Sequence, residues 1–156
     1  MLYSEKHGLL FESEAHRDFY DSQMATVKND CYHRALIYAI GIYSDTRRNF
    51  SETYDKKERA IVRGCLNAAW QTGGSLKATR LAFNLFTDRP ITAIDYVGNI
   101  GKIVEDFDEC ARYSVSDIFC CGYAPYFMEA IRLRYPEYMA GARLSTSKDR
   151  ASKSTK

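Results

Sequence analysis

Apolar residues in this chain recur mostly every three or four positions, the period of a helix with one buried face. The clearest stretch follows Asp30, where Cys31, Tyr32, Ala35, Leu36, Ala39, Ile40 and Tyr43 share one stripe. Asp30 can cap that helix by accepting a hydrogen bond from a first-turn amide. His33 and Arg34 fall off the stripe. Gly41 costs about 1 kcal/mol against alanine inside a helix, so it marks a close approach or the start of unwinding. An earlier helix is expected from its cap, Ser13, to about Val27, with Phe11, Ala15 and Phe19 aligned at four-residue intervals. Residues 1–12 read as a loose or strand-like lead-in.

Beyond Tyr43, Asp45 is placed to cap a short helix carrying Arg47, Arg48, Phe50 and Tyr54. Lys56 to Arg59 form a charged, solvated turn, and residues 60–70 are apolar enough for a further helix ended by Gly73 and Gly74. Ser75 then caps a strong helix to Phe86, with Ala78, Leu81, Ala82 and Leu85 on its core stripe, and Pro90 closes the region. Residues 91–110 fit either a helix or a short strand, because a near-helical period runs through β-branched residues broken by Gly98 and Gly101. Ser114, three residues before Asp117, predicts a short helix through Cys120. Pro125 suits the first turn of the last main helix, which Pro136 stops. The pattern predicts a mainly α fold: one compact domain over 1–140, with about six helices and at most one short β element, then a disordered basic tail over 141–156.

Composition narrows the class. The longest apolar runs, such as residues 35–42, fall short of the roughly 20 residues that cross a bilayer, and Met1 to Lys6 lead into no secretion signal. The five cysteines are irregularly spaced, which argues against a disulfide framework and for a reducing, cytoplasmic setting. From Arg143 onward five basic residues face one acid, a charge of +4 in a chain of +2, so the preceding 142 residues carry −2. A slightly acidic body is poor support for direct nucleic-acid binding, which neutralises phosphates; the basic tail could make weak nucleic-acid contact, but a solvated flexible end is the stronger expectation.

Candidate chemistry is sparse. Cys31 and His33 are two apart and point to opposite sides of a helix, so they cannot act as nucleophile and base together. Cys120 and Cys121 are adjacent and have no second pair, so no metal site is expected. Residues 70–75 lack the lysine and spacing of a phosphate-binding loop, and no cofactor is implied. Arg47, Arg48, Gln71, Thr72, Arg80 and Asn84 form a polar set; Arg80 and Asn84 share a helix face, and arginines near the Gly-Gly turn and a helix N-terminus could hold an anion. Twelve tyrosines are the most suggestive feature, because tyrosine is favoured where a surface must bind. Tyr123, Tyr126, Tyr135 and Tyr138 crowd the end of the fold with Phe127 and Arg134.

The segments 31–38, 41–42, 45–47, 70–72, 80–85 and 134–138, from Cys31-Tyr32-His33-Arg34 through Trp70-Gln71-Thr72 to Arg134-Tyr135-Pro136-Glu137-Tyr138, resemble in that order an uncharacterised family of Firmicutes and their phages or mobile elements. The resemblance carries no activity and no catalytic residue. It implies a small bacterial or phage protein that travels with mobile DNA, a context in which small proteins often bind host machinery. The expectation is therefore a non-catalytic binding protein with a protein partner. It would be an inhibitor or modulator of a nucleic-acid-guided host defence complex, of anti-CRISPR or other anti-defence type. Its working surface is expected among Tyr32, His33, Arg47, Arg48, Trp70, Arg80, Asn84, Tyr126 and Arg134. The alternative is a small cytosolic enzyme or ligand-binding protein in which His33, Arg47, Arg80 and Cys120 or Cys121 converge in a pocket.

Overall fold

The computed structural model describes residues 1–91 and 107–139. The lead-in is a defined antiparallel hairpin of β1 (Leu2–Ser4) and β2 (Leu9–Phe11), with Leu2 opposite Phe11 and Ser4 opposite Leu9. Gly8 closes its turn at φ +63°, a conformation glycine adopts without a Cβ clash. Leu9 and Phe11 of β2 enter the core.

Helix α1 (Glu14–Met24) starts as predicted, with the Ser13 side chain accepting the His16 N–H at 3.2 Å, and ends short of Val27. Helix α2 (Cys31–Gly41) is capped by Asp30, whose carboxylate accepts the His33 N–H at 2.9 Å. Residues 35–40 of α2 have no exposed surface, because the helix packs against α1 and two later helices, α5 (Gly73–Thr87) and α8 (Ala124–Arg134). Burial all round, rather than along one stripe, also takes His33 out of solvent.

Two short helices follow, α3 (Ser44–Arg48) and α4 (Phe50–Thr53). Tyr43, not Asp45, holds the cap position of α3, and no side chain caps it. The buried Thr46 hydroxyl instead donates to the carbonyls of Ile40 and Tyr43.

The helix expected over residues 60–70 is absent. Strand β3 (Tyr54–Asp55) pairs antiparallel with β4 (Ala60–Ile61), and a 3-10 helix covers Arg63–Asn67. Local turn chemistry decides this. The Asp55 carboxylate accepts the N–H groups of Lys57 and Glu58 at 2.8 and 3.0 Å, and Arg59 turns the chain at φ +53°. Cys65 and Leu66 still reach the core, whereas Ala69 is exposed.

Gly73 and Gly74 begin α5 instead of ending its predecessor. Thr72 is the cap, and Ser75 lies inside the helix as its reciprocal partner: Ser75 N–H donates to Thr72 Oγ1 at 3.2 Å and Thr72 N–H to Ser75 Oγ at 2.7 Å. A Cβ on Gly74 would stand 2.8 Å from the Tyr43 hydroxyl, so the ring of Tyr43 requires the glycine. The predicted stripe of Ala78, Leu81, Ala82 and Leu85 is buried. Asp88 ends α5 in the left-handed region at φ +59°, before Pro90 is reached.

Helices α6 (Phe107–Ala111), α7 (Val115–Phe119) and α9 (Pro136–Met139) complete the described chain. Ser114 caps α7 by accepting the Asp117 N–H at 3.2 Å, and Pro125 lies in the first turn of α8, both as predicted. Residues 92–106, for which helix and strand were both open, and the tail expected over 141–156 lie outside the described residues. Among the described residues the fold is mainly helical, but nine α-helical segments stand in place of about six, and two hairpins in place of one β element. No described helix is long and apolar enough to cross a membrane.

His16 joins α1 to α2 inside the core. Its Nδ1 accepts the Glu12 N–H at 3.2 Å, so its proton sits on Nε2 and is donated to the Tyr38 carbonyl at 2.8 Å. Burial pushes its pKa down to about 4; the charge of Arg47 acts in the same sense and the Tyr38 carbonyl opposes. A folded pKa below the ordinary 6.5 means that the unfolded chain takes up a proton the folded chain refuses. The stability the neutral ring provides is therefore complete above about pH 6.5 and is lost as pH falls toward about 4. Glu129, whose carboxyl burial pushes up, acts in the opposite sense, so bulk stability mixes the two. Nitrogen-edited NMR of the imidazoles isolates His16: at about pH 5.5 its ring should be neutral with the proton on Nε2, and a protonated ring would contradict the assignment.

Gly41 is where α1 and α2 touch. A Cβ there would lie 2.7 Å from His16 Cδ2 and 2.9 Å from Phe19 Cδ1, whereas one on Gly64 would meet nothing within 4 Å. Gly41→Ala should destabilise the fold by about 1–3 kcal/mol in urea denaturation. Gly64→Ala should stay within about 0.5 kcal/mol of the parent. Equal effects would refute the close crossing.

Candidate functional site

Three of the expected site residues meet at the N-terminal end of α2, beside the C-terminal ends of α5 and α8. The Asp30 carboxylate that caps α2 also takes a hydrogen bond from His33 Nδ1 at 2.8 Å, and His33 Nε2 lies 2.9 Å from the Tyr54 hydroxyl. Burial raises the Asp30 carboxyl, but the bonds from His33 outweigh it and hold the group below its ordinary range. Tyr54 is 2% exposed and is enclosed by Phe50, Phe86 and His33, so the Tyr54 end of this chain of polar groups is closed off among the described residues, while Asp30 at its other end is half-buried. It fastens the β3–β4 hairpin to α2.

Next to His33 in sequence is Tyr32, and the Arg134 guanidinium lies against two aromatic rings, 3.7 Å from the centre of Tyr32 and 4.6 Å from that of Tyr135. Its Nη2 donates to both Asp88 oxygens at 2.8 and 3.1 Å, its Nε donates to the Leu85 carbonyl at 2.9 Å, and its Nη1 points to Cys31 Sγ at 3.7 Å. Asp88 is available because the left-handed turn that ends α5 projects it there; its own N–H donates to the Asn84 carbonyl at 2.8 Å. Arg134 is 8% exposed, yet Tyr32 is 37% and Tyr138, three residues beyond Tyr135, is 81% exposed. The guanidinium thus works as an internal rivet that holds aromatic rings at the surface.

The remaining expected residues stand elsewhere. Arg47 Nη1 donates to the carbonyls of Gly41 and Ile42 at 2.6 and 3.1 Å, closing the C-terminus of α2. Arg48 is exposed and pairs with Asp45. Trp70 is half-buried, its Nε1 donating to Glu52 at 2.7 Å. Arg80 forms a two-pronged pair with Glu109 at 2.9 and 3.2 Å. Asn84 is half-buried, and Tyr126 is a core residue rather than a displayed one. Cys120 is exposed and Cys121 half-buried. No hydrogen bond or ion pair joins His33, Arg47, Arg80, Cys120 or Cys121 to one another among the described residues. An open depression beside α7 is bordered by Ala111, Arg112, Ser114, Ser116 and Asp117, and none of the expected residues lines it.

Asp88 was not legible as a site residue in the sequence, since only its left-handed backbone aims it at Arg134. Asp88→Ala should cost about 1–3 kcal/mol in urea denaturation, by leaving Arg134 unpaired and placing alanine at φ +59°. The near-UV tyrosine signal should change with it. Asp88→Asn, which keeps an acceptor and tolerates that backbone but removes the charge, should cost less; equal losses would show that the acceptor and the backbone contribute nothing and the charge carries the whole effect.

No curated protein and no solved structure matches this chain. A family model described as a family of unknown function does match it, over residues 6–147, nearly its whole length. The chain belongs to that family, DUF6075.

Proposed function

We propose that this protein acts by binding a protein partner through the aromatic face around Arg134. The observation that supports this is the pair of rings held against the guanidinium, 3.7 and 4.6 Å away, with Tyr32 exposed and Tyr138, three residues beyond Tyr135, exposed as well. Rings held in place lose little conformational freedom on binding, and tyrosine anchors supply large contact area with a polar tip. Exposed Arg89, Pro90 and Glu137 lie next in sequence to this face and give it a mixed polar border. The slightly acidic body favours a protein over bare nucleic acid as the partner.

The finer form of the proposal is that the partner is a nucleic-acid-guided host defence complex. The chain would then be a mobile-element product that restrains it, of anti-CRISPR or other anti-defence type. The resemblance to proteins of Firmicutes mobile elements and the tyrosine excess motivate that form. The enzyme alternative is not favoured, because His33, Arg47 and Arg80 are each engaged with different partners.

The test is titration of purified CRISPR effector complexes with the protein, read by size exclusion and by target cleavage. A co-eluting complex with reduced cleavage is the expected result. Tyr138→Ala, on a side chain with little packing to lose, should weaken that complex about tenfold or more without shifting the melting temperature. No complex and unchanged cleavage would count against the finer form. A complex indifferent to Tyr138→Ala and Tyr32→Ala together would count against the surface.

A further inference from the structure

The turn between β1 and β2 gathers side chains that the aromatic face does not use. Ser4 Oγ lies 2.7 Å from His7 Nδ1, and His7 Nε2 lies 2.7 Å from Asp21 Oδ1 on α1. Lys6 Nζ reaches the other Asp21 oxygen at 3.3 Å. The positions are set by backbone geometry. The Ser4 carbonyl accepts the N–H groups of His7 at 3.2 Å and Gly8 at 2.8 Å, which curls the turn so that residues 4 and 7 face each other. The His7 ring stands edge-on to Phe11 and Tyr20, at 5.5 and 6.0 Å between centroids, which fixes its plane. Arg132 of α8 donates to the Gly8 carbonyl and ties the turn to the body of the protein.

A serine hydroxyl becomes a useful nucleophile when a neighbouring base takes its proton and a third group holds that base in orientation. Burial raises the Asp21 carboxyl, but hydrogen bonds and charge from His7 and Lys6 outweigh it and keep the group ionised. An ionised carboxylate only accepts, so the His7 proton lies on Nε2, toward Asp21. In the neutral ring Nδ1 then offers its lone pair to the Ser4 hydroxyl. The two imidazole nitrogens exchange the roles they have in the familiar Ser-His-Asp arrangement, but the connectivity is the same.

We propose that Ser4 is an activated nucleophile that accepts an acyl group from activated esters, with His7 as its base and Asp21 as a positioning residue. Ser4 Oγ forms a bond to the ester carbonyl carbon while its proton passes to His7 Nδ1. The tetrahedral adduct expels the leaving alkoxide, which takes that proton and departs as the alcohol. Water, deprotonated by His7, then attacks the acyl-serine; the carboxylic acid leaves and Ser4 regains its proton. This chemistry goes beyond binding at the Arg134 face and rests on other elements of the fold, so either can fail alone.

A fluorophosphonate tests it on the full chain: Ser4 Oγ bonds to phosphorus, fluoride leaves, and the proton passes through His7 to solvent. Intact-mass and peptide analysis should locate one adduct on Ser4, and Ser4→Ala should abolish it. His7→Asn should slow labelling by about 100-fold. Asp21→Asn should slow it less and shift the midpoint of its pH–rate profile, which a merely structural aspartate would not do; it also serves if His7→Asn fails to fold. Labelling no faster in native than in heat-unfolded protein, an adduct that persists in Ser4→Ala, or rates indifferent to both other substitutions would each overturn the proposal.

Discussion

Helix α2 lies wholly inside the protein along residues 35–40, and surrounding a helix on every side is the constraint from which most of the structure follows. A helix with one buried stripe leaves its polar termini and its other faces to water. Here each of them needs a partner in the protein, since a buried polar group left alone costs about 1–3 kcal/mol. Asp30 serves the first turn, while Arg47 and Thr46 serve the carbonyls near the end. His16 even reaches a carbonyl in the middle, that of Tyr38. Close packing adds a steric demand, met by Gly41 where α1 crosses.

That demand explains why residues with chemical potential do structural work here. His33 holds a hairpin to α2 and Arg47 closes its end, while Arg80, away from α2, joins α5 to α6 through Glu109. Arg134 differs in its surroundings: of the two rings it lies against, Tyr32 is exposed and Tyr135 half-buried, and Tyr138, three residues on, is exposed. A guanidinium that is itself hidden can thus define an exposed face. The β1–β2 turn shows the complementary case, where a compact polar cluster sits near solvent and stays chemically poised.

Sequence legibility followed the range of the interactions involved. Caps made within four residues, at Ser13, Asp30 and Ser114, were visible as residue types at fixed offsets, and so was the Ala78–Leu85 stripe. The segment 60–70 was misread because Cys65 and Leu66 fit a helical period equally well as part of a 3-10 turn; the deciding signal was Asp55, which arrests the chain as a hairpin turn before the apolar run begins. Gly73 and Gly74 look like terminators from sequence, but the reciprocal bonds of Thr72 and Ser75 start a helix there, and the ring of Tyr43 against position 74 accounts for the second glycine. Of the site, Tyr32, His33 and Arg134 carried readable signals. Asp88 and Asp21 did not, because each is brought to its partner by tertiary packing across 46 and 14 residues.

Native-state hydrogen exchange examines the central role of α2 most directly. Amides in the least stable parts of a fold exchange through local opening, and those at its centre exchange only when the whole molecule unfolds. The amides of residues 36–40 should exchange with a free energy equal to that of global unfolding measured by denaturant, and none in α1, α5 or α8 should be better protected. Exchange of those α2 amides through a cheaper, local opening, with α5 still protected, would contradict the account.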